Sequence, residues 1–221
     1  MNHTKERILD TAERLFSEQG YAATSLRSII ATAGVNLAAV HYHFHSKEAL
    51  LEAVILRRSA PANQERLALL DRCELAAGEY PPSLEKVIEA FVAPTFRMAR
   101  DPGSGGMVFM RLMGRLHAEG DALSGILVTH FRDVLERFAT ALRQALPDLP
   151  PGELFWRLNF AIGALGQALR GGSKQLGVIA DLSLASNSEM ALEQLVAFLS
   201  AGFRAQVPAH VIEEAQAVSK E

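Results

Sequence analysis

The sequence predicts an all-α protein: a small N-terminal three-helix, helix-turn-helix domain followed by a larger helical domain. Apolar residues recur at three- and four-residue spacing almost throughout, and no stretch sustains two-residue alternation with β-branched enrichment. The breaks between the periodic segments fall at Gly and Pro. Hydrophobic residues at 49% against 21% charged, over 221 residues, are the balance of a folded protein with a sizeable core.

In chain order, Ile8, Ala12, Leu15 and Phe16 form one apolar stripe, so a first helix is expected from about Thr4 to Gln19, with Gly20 ending it. Thr24 is the expected N-cap of a short second helix that turns Leu26, Ile29, Ile30 and Ala33 inward and stops at Gly34. Asn36 caps a third helix, to about His43, anchored by Val40 and Phe44. Ser46 caps a fourth through Leu50, Val54 and Leu56, which Pro61 is expected to kink or break. Helical spacing resumes from Leu67 to Leu75 and ends at Gly78 and Pro81-Pro82.

Further helices are expected over 83–100, 107–118, 122–146, 153–170 and 188–204, with Gly- and Pro-rich breaks at 101–106 and 147–152 and an irregular stretch at 173–187. The polar tail beyond Pro208 is expected to be loose. The expected division is therefore a DNA-binding domain at 1–48, a ligand-binding and dimerisation domain at 49–207, and a tail at 208–221.

Several classes of function are disfavoured by residue type. Cys73 is the only cysteine, so an intrachain disulfide, a thiolate cluster and a redox pair are all excluded, which fits a reducing cytoplasm. Residues Met1 to Arg7 run directly into an amphipathic pattern rather than an apolar leader, and the longest apolar runs, such as Leu195 to Leu199, are far too short to span a bilayer. A cytoplasmic protein without membrane contact is expected. His41, His43 and His45 alternate instead of sharing one helix face, and there is no Gly-rich phosphate loop, His-Glu-x-x-His pair or nucleophile elbow. No catalytic residues, metal or cofactor are expected, and the chain does not read as an enzyme.

The net charge of −3 runs against the basic excess usual in nucleic-acid binders. Over residues 1–50, Lys5, Arg7, Arg14, Arg27 and Lys47 are balanced by Glu6, Asp10, Glu13, Glu18 and Glu48. A small reader of DNA works from a few placed cations and helix N-termini, so neutrality lowers non-specific affinity without excluding the function. Two short helices joined through Ala33-Gly34-Val35 behind a supporting amphipathic helix have the form of a helix-turn-helix. On spacing alone an ordinary helical hairpin fits equally, and a helical structural or protein-interaction module without DNA binding is the alternative reading.

The run from Arg7 to Leu50, including Leu15-Phe16, Gly20-Tyr21, Thr24-Ser25, Ala33-Gly34-Val35, Tyr42-His43-Phe44 and Ser46-Lys47-Glu48-Ala49-Leu50, resembles the DNA-binding domain of the TetR family over its full length. The resemblance implies a ligand-responsive repressor that binds a palindromic operator in double-stranded DNA as a homodimer. It puts Asn36, Leu37, Ala39 and His41 near base edges, Tyr42 and Lys47 at phosphates, and Thr24, Ser25 and Arg27 at the other backbone strand. The recognition helix departs from the family in lacking Lys or Arg, so guanine readout by a bidentate Arg is not available. Asn36 remains for adenine, and Leu37 or Ala39 for a thymine methyl.

Val35 to Val40, Phe109-Met110-Arg111-Leu112-Met113-Gly114 and Glu153-Leu154-Phe155-Trp156-Arg157 further resemble the PsrA-like, fatty-acid-responsive branch, which implies a fatty acid or acyl-CoA effector. Phe91, Phe96, Phe109, Met110, Met113, Phe131 and Trp156 are the candidate pocket lining, because Met and Phe make adaptable apolar walls; the same residues serve equally as plain core. Arg111 or Arg115 is the candidate partner for a ligand carboxylate. The last two long helices fit a four-helix dimer bundle through Phe160, Gly163, Gln167 and Arg170 on one and Gln194, Ala197, Phe198 and Ala201 on the other.

Overall fold

A computed structural model describes residues 2–101, 103, 105–119, 121–169 and 188–207. The regular structure in these residues is helical, in the order α1 (Asn2–Gln19), α2 (Leu26–Ala33), α3 (Leu37–Phe44), α4 (Lys47–Ala77), α5 (Leu84–Arg100), α6 (Gly106–Ala118), α7 (Asp121–Ala145), α8 (Pro151–Leu169) and α9 (Ser188–Arg204). The all-α expectation holds, with helix ends within a few residues of those expected. The irregular stretch at 173–187 and the tail beyond Pro208 lie outside the described residues.

Pro61 does not break the chain. It sits inside the single 31-residue helix α4. A proline there removes one backbone donor, yet Ser59, Ala62, Asn63 and Arg66 around it are all buried. Packing on both sides of the proline thus outweighs one lost helical hydrogen bond.

The chain divides into two compact units. Unit 1 is residues 1–64 with 97–133, and unit 2 is 65–96 with 134–221. The cause lies in α6, which packs on α1. Phe109, Leu112 and Leu116 of α6 join Ile8, Leu15, Phe16, Ile29, Val40, Phe44, Leu50 and Val54 in one core. The helix-turn-helix is therefore completed by residues far along the chain.

Unit 1 also carries a charged clamp. Glu6, Asp10 and Glu13 lie along one face of α1 at helical spacing. Arg57 of α4 reaches Asp10 at 2.8 Å and Glu6 at 3.1 Å, and its other terminal nitrogen pairs with Glu13. Arg58 closes on the same Glu13 carboxylate with Nε at 3.0 Å and Nη2 at 2.8 Å. Glu13 is buried between the two guanidinium groups, so removing its charge takes the shared carboxylate from both.

In unit 2, α8 packs against α9. Arg157 of α8 donates to the carbonyls of Phe203 at 2.7 Å and Ala205 at 2.9 Å and pairs with Glu153 at 3.0 Å, which caps the end of α9 with a cation. Arg137 of α7 pairs with Asp71 at 2.7 Å and Glu74 at 2.9 Å on α4.

Candidate functional site

The reading head is built by caps. Ser25, not Thr24, is the N-cap of α2: its hydroxyl accepts from the Ser28 amide, and the Ser28 hydroxyl accepts from the Ser25 amide, a reciprocal box. At the other end Gly34 adopts φ +61°, a conformation that L side chains rarely take. The guanidinium of Arg7 donates to the carbonyls of Ala33 and Gly34 there. Asn36 then caps α3, its Oδ1 accepting from the Ala39 amide at 2.8 Å.

Val40 and Phe44 bury one face of α3, while Leu37, Ala38, His41 and Tyr42 stay exposed on the other. The helix ends at His45, which holds φ +61° without being glycine. The Ser46 amide donates across it to the Phe44 carbonyl at 2.7 Å, making a tight γ-turn that stores backbone strain. That turn sets the direction of α4, whose N-terminus Ser46 caps through the Ala49 amide at 3.0 Å.

Lys47, in the first turn of α4, lies with Nζ 4.1 Å from the centre of the Tyr21 ring. The Tyr21 hydroxyl donates to Glu48 at 2.9 Å. Burial, then the hydrogen bond to Glu48, pushes the Tyr21 phenol up, and burial pulls the Lys47 ammonium down. The corner between α1 and α2 is gripped from α6: the Glu119 carboxylate accepts from the amides of Tyr21 at 3.0 Å and Ala22 at 3.1 Å, and Arg115 donates to the Glu18 carbonyl at 2.8 Å. Gly20, at φ +94°, leaves room for that carboxylate, which a Cβ would strike.

Of the residues expected at DNA, Ser25, Arg27, Asn36, Leu37, His41 and Tyr42 are exposed, and Ala39 and Lys47 are half-buried. Thr24 is the correction. It is 1% exposed, and its hydroxyl is directed at the carbonyls of Gly20, at 2.7 Å, and Leu15. It ties the corner instead of meeting a phosphate, and one position of register in the cap explains the difference. Asn36 is doubly committed, since its Oδ1 already holds the helix end and only its amide nitrogen is left to donate.

The residues expected to line one pocket are not brought together. Phe109 belongs to the core of unit 1, with Met110, Met113 and Phe131 packed against it, because α6 completes the reading head. Phe96 is buried in α5, and Trp156 is 56% exposed on α8. Of them, only Phe91 lines an apolar cavity among the described residues of unit 2, with Val87, Ile88, Phe138, Leu142, Leu158, Ala161, Leu199 and Phe203. That cavity is wholly apolar and about 10 Å³, no larger than one water molecule. Arg115 is spent on the Glu18 carbonyl, and Arg111 is exposed.

Besides Arg157, unit 2 buries a cation that spacing did not single out. Arg66 of α4 is 7% exposed, donates from Nε to the Phe91 carbonyl at 2.8 Å and from Nη2 to the Thr95 hydroxyl, and stands 5.1 Å over the Phe91 ring. Burial pulls its guanidinium down to about 10. Asn63, Gln64 and Glu65 just before it on α4 are polar, so it reads as a surface arginine until α5 is seen across it.

The expected dimer residues Phe160, Gly163, Gln167, Gln194, Ala197, Phe198 and Ala201 are all exposed on α8 and α9, and Arg170 lies outside the described residues. Phe155 and Trp156 belong with them, at 60% and 56% exposure beside Phe160 at 65% and Phe198 at 67%. Trp156 stacks on Phe160 at 6.0 Å in open solvent.

A capped pair of eight-residue helices, supported from behind and presenting one uncommitted face, is the reading head of a helix-turn-helix regulator. The chain belongs to the TetR family of bacterial regulatory proteins: residues 8–54 match the family's DNA-binding domain, and residues 89–202 match the tetracyclin repressor-like C-terminal domain. Members are transcriptional regulators, typically repressors. Two similar proteins are the uncharacterized regulator YerO of Bacillus subtilis, 49% identical over 51 residues, and the regulator UidR of Escherichia coli K12, 39% identical over 54 residues. The aligned segments cover 23% and 24% of this chain, and only 18% and 28% of those proteins. A tetR-family regulatory protein from Rhodococcus RHA1 shares the fold at a TM-score of 0.62 and 16% identity, over 92% of this chain and 98% of that one.

Among the described residues, no helix is long and apolar enough to cross a membrane, and no cluster of His, Cys, Asp or Glu is arranged to hold a metal ion.

Proposed function

We propose that the protein is a ligand-responsive repressor that binds a palindromic operator as a homodimer and is released by a small hydrophobic effector, of the acyl type met in the PsrA-like branch. The reading rests chiefly on the face of α3 that Leu37, His41 and Tyr42 leave open beside Lys47 at the start of α4. With no Lys or Arg on α3, sequence is read by methyl contact from Leu37 and by donation from Asn36, while Ser25, Arg27, Tyr42 and Lys47 supply phosphate contacts.

The open aromatic face of α8 and α9 supports a second copy as the dimer partner, since a patch of that kind on a monomer is a liability in water. The apolar cavity of unit 2 supports a hydrophobic effector, which must widen it on entry. Residues of the single helix α4 belong to both units, so a ligand that shifts α4 alters the spacing of the two reading heads.

The test is a gel-shift titration against the intergenic DNA beside the protein's own gene, with and without long-chain acyl ligands. A shifted dimer complex released by the ligand is the expected result. A shift insensitive to acyl ligands keeps the repressor and discards the effector class, whereas no shift on any promoter fragment overturns the DNA-binding reading.

A further inference from the structure

A cation in the first turn of a helix faces the positive end of the aligned backbone dipoles, where an acid is the stabilising choice. Lys47 occupies that turn of α4, directly after the Ser46 cap, so its charge does not serve the helix it begins. A lysine on a surface also has much rotamer freedom to lose. This one is nonetheless kept in place, half-buried, with its ammonium 4.1 Å from the centre of the Tyr21 ring.

The second observation is how firmly that ring is fixed. The Tyr21 hydroxyl donates to Glu48 at 2.9 Å, the ring meets that of Phe16 at 5.4 Å, and the Tyr21 amide donates to Glu119 at 3.0 Å. Phe16 is fully buried in the core of unit 1, so the platform is anchored there. Packing against Phe16 needs only an apolar side chain, which a leucine would supply. The aromatic face is the part of Tyr21 that the core leaves unexplained, and Lys47 is what rests on it.

We propose that Tyr21 is a positioning residue for DNA: it holds the Lys47 ammonium at a preset point, with the side away from the ring offered to a backbone phosphate. The ligand is the phosphodiester of duplex DNA, whatever its sequence, and the inference rests on the DNA-binding reading above. A lysine ordered before the encounter loses less freedom on binding. An ammonium has three donors, so one turned to a ring keeps others for the anion.

The experiment is equilibrium binding of the full chain to random duplex DNA and to the intergenic DNA beside its own gene, in a two-residue mutant cycle. Lys47→Ala is expected to weaken binding to both. Tyr21→Leu, with its fold checked by circular dichroism, is expected to weaken both about tenfold, because one lysine is set loose in each half of a dimer. In the Lys47→Ala background the same change is expected to alter affinity by less than about twofold, a coupling that mere support of the core would not produce. Tyr21→Phe keeps the ring and is expected to stay within about twofold of the parent. Should Tyr21→Leu fail to fold, a Tyr21→Phe protein with a fluorinated ring keeps the shape and weakens the face, and is expected to bind several-fold less tightly than plain Tyr21→Phe. An equal Tyr21→Leu loss in both backgrounds, or tighter binding by Tyr21→Leu, overturns the platform and leaves the DNA-binding reading standing. So does binding that Lys47→Ala leaves unchanged. No binding of either DNA by the parent chain overturns both.

Discussion

In unit 1 the acids of α1 turn toward Arg57 and Arg58, the α1–α2 corner is closed by Glu119 and Arg115, and the large apolar side chains Phe16, Ile29, Leu50 and Leu112 are fully covered. In unit 2 the internal ties are as good, through Arg157 and Arg137, yet α8 and α9 leave Phe155, Trp156, Phe160 and Phe198 in water. Unit 1 is finished as a single copy, and what it leaves open is small and polar or singly apolar. Unit 2 is a half-finished core. On the function proposed above, the contrast separates a surface for DNA from one for another helix pair.

The largest effect is expected where unit 2 is open. Phe160→Glu with Phe198→Glu places four carboxylates in a twofold interface and removes aromatic burial of about 1.5–3 kcal/mol per side chain. Sedimentation should show a dimer dissociation constant raised by more than about a thousandfold, with the fold kept by circular dichroism. A variant that remains dimeric would move the partner surface elsewhere.

Next comes the clamp of unit 1. Glu13→Gln takes the shared carboxylate from two half-buried guanidinium groups, of which Arg57 keeps Asp10 and Glu6, and urea unfolding should show a loss of about 1–3 kcal/mol. A loss below about 1 kcal/mol would mean that water reaches the site and that unit 1 is less closed than its burial implies.

A smaller effect falls on the DNA side. Lys47→Ala removes one phosphate contact from each half of a dimer, so the slope of log affinity against log salt should flatten by about 2, equally on specific and random DNA. An unchanged slope would show that the cation held over Tyr21 meets no phosphate in the complex. Asn36→Ala should change sequence preference and also loosen α3, because the same side chain caps it.

The smallest concerns pH. The hydrogen bond from Arg204, with help from its own backbone amide, holds Glu85 down at about 2 from an ordinary 4.5. A carboxylate depressed in this way stabilises the fold above its unfolded value and loses that contribution as pH falls from about 4.5 through about 2. Glu85 and Arg204 are both about half exposed, so solvent screening holds the effect under about 1 kcal/mol. Acid titration of unfolding free energy should be shallower in Glu85→Gln by that amount, and parallel curves would show the pair to be idle.

Period and punctuation made the helices legible, along with the caps at Asn36 and Ser46 and the left-handed stop at Gly34, because each of these is decided within four residues. What depends on distant partners was not legible. Pro61 looked like a kink or a break because its cost is local while the burial of Ser59, Ala62 and Asn63 around it is not. Phe109, Met110 and Met113 carry the composition of a pocket, and only the packing of α6 on α1 assigns them to the reading head. Arg57 and Arg58 stand 44 and 45 residues from Glu13, too far for spacing to pair them. Trp156 on α8 was read as pocket lining or plain core, since spacing does not tell the covered faces of an apolar helix from an open one.

The capping of α2 by Arg7 also bears on how the head folds. Helices of eight residues such as α2 and α3 are well below the dozen or so at which an isolated helix becomes marginally stable in water. The last carbonyls of α2 are satisfied by a side chain 26 residues upstream, and its first corner by one 98 residues downstream. A peptide of residues 20–46 should therefore be a coil, and in the intact chain amide exchange of α2 and α3 should follow α1 and α6 as one cooperative block, with no opening of the recognition helix alone.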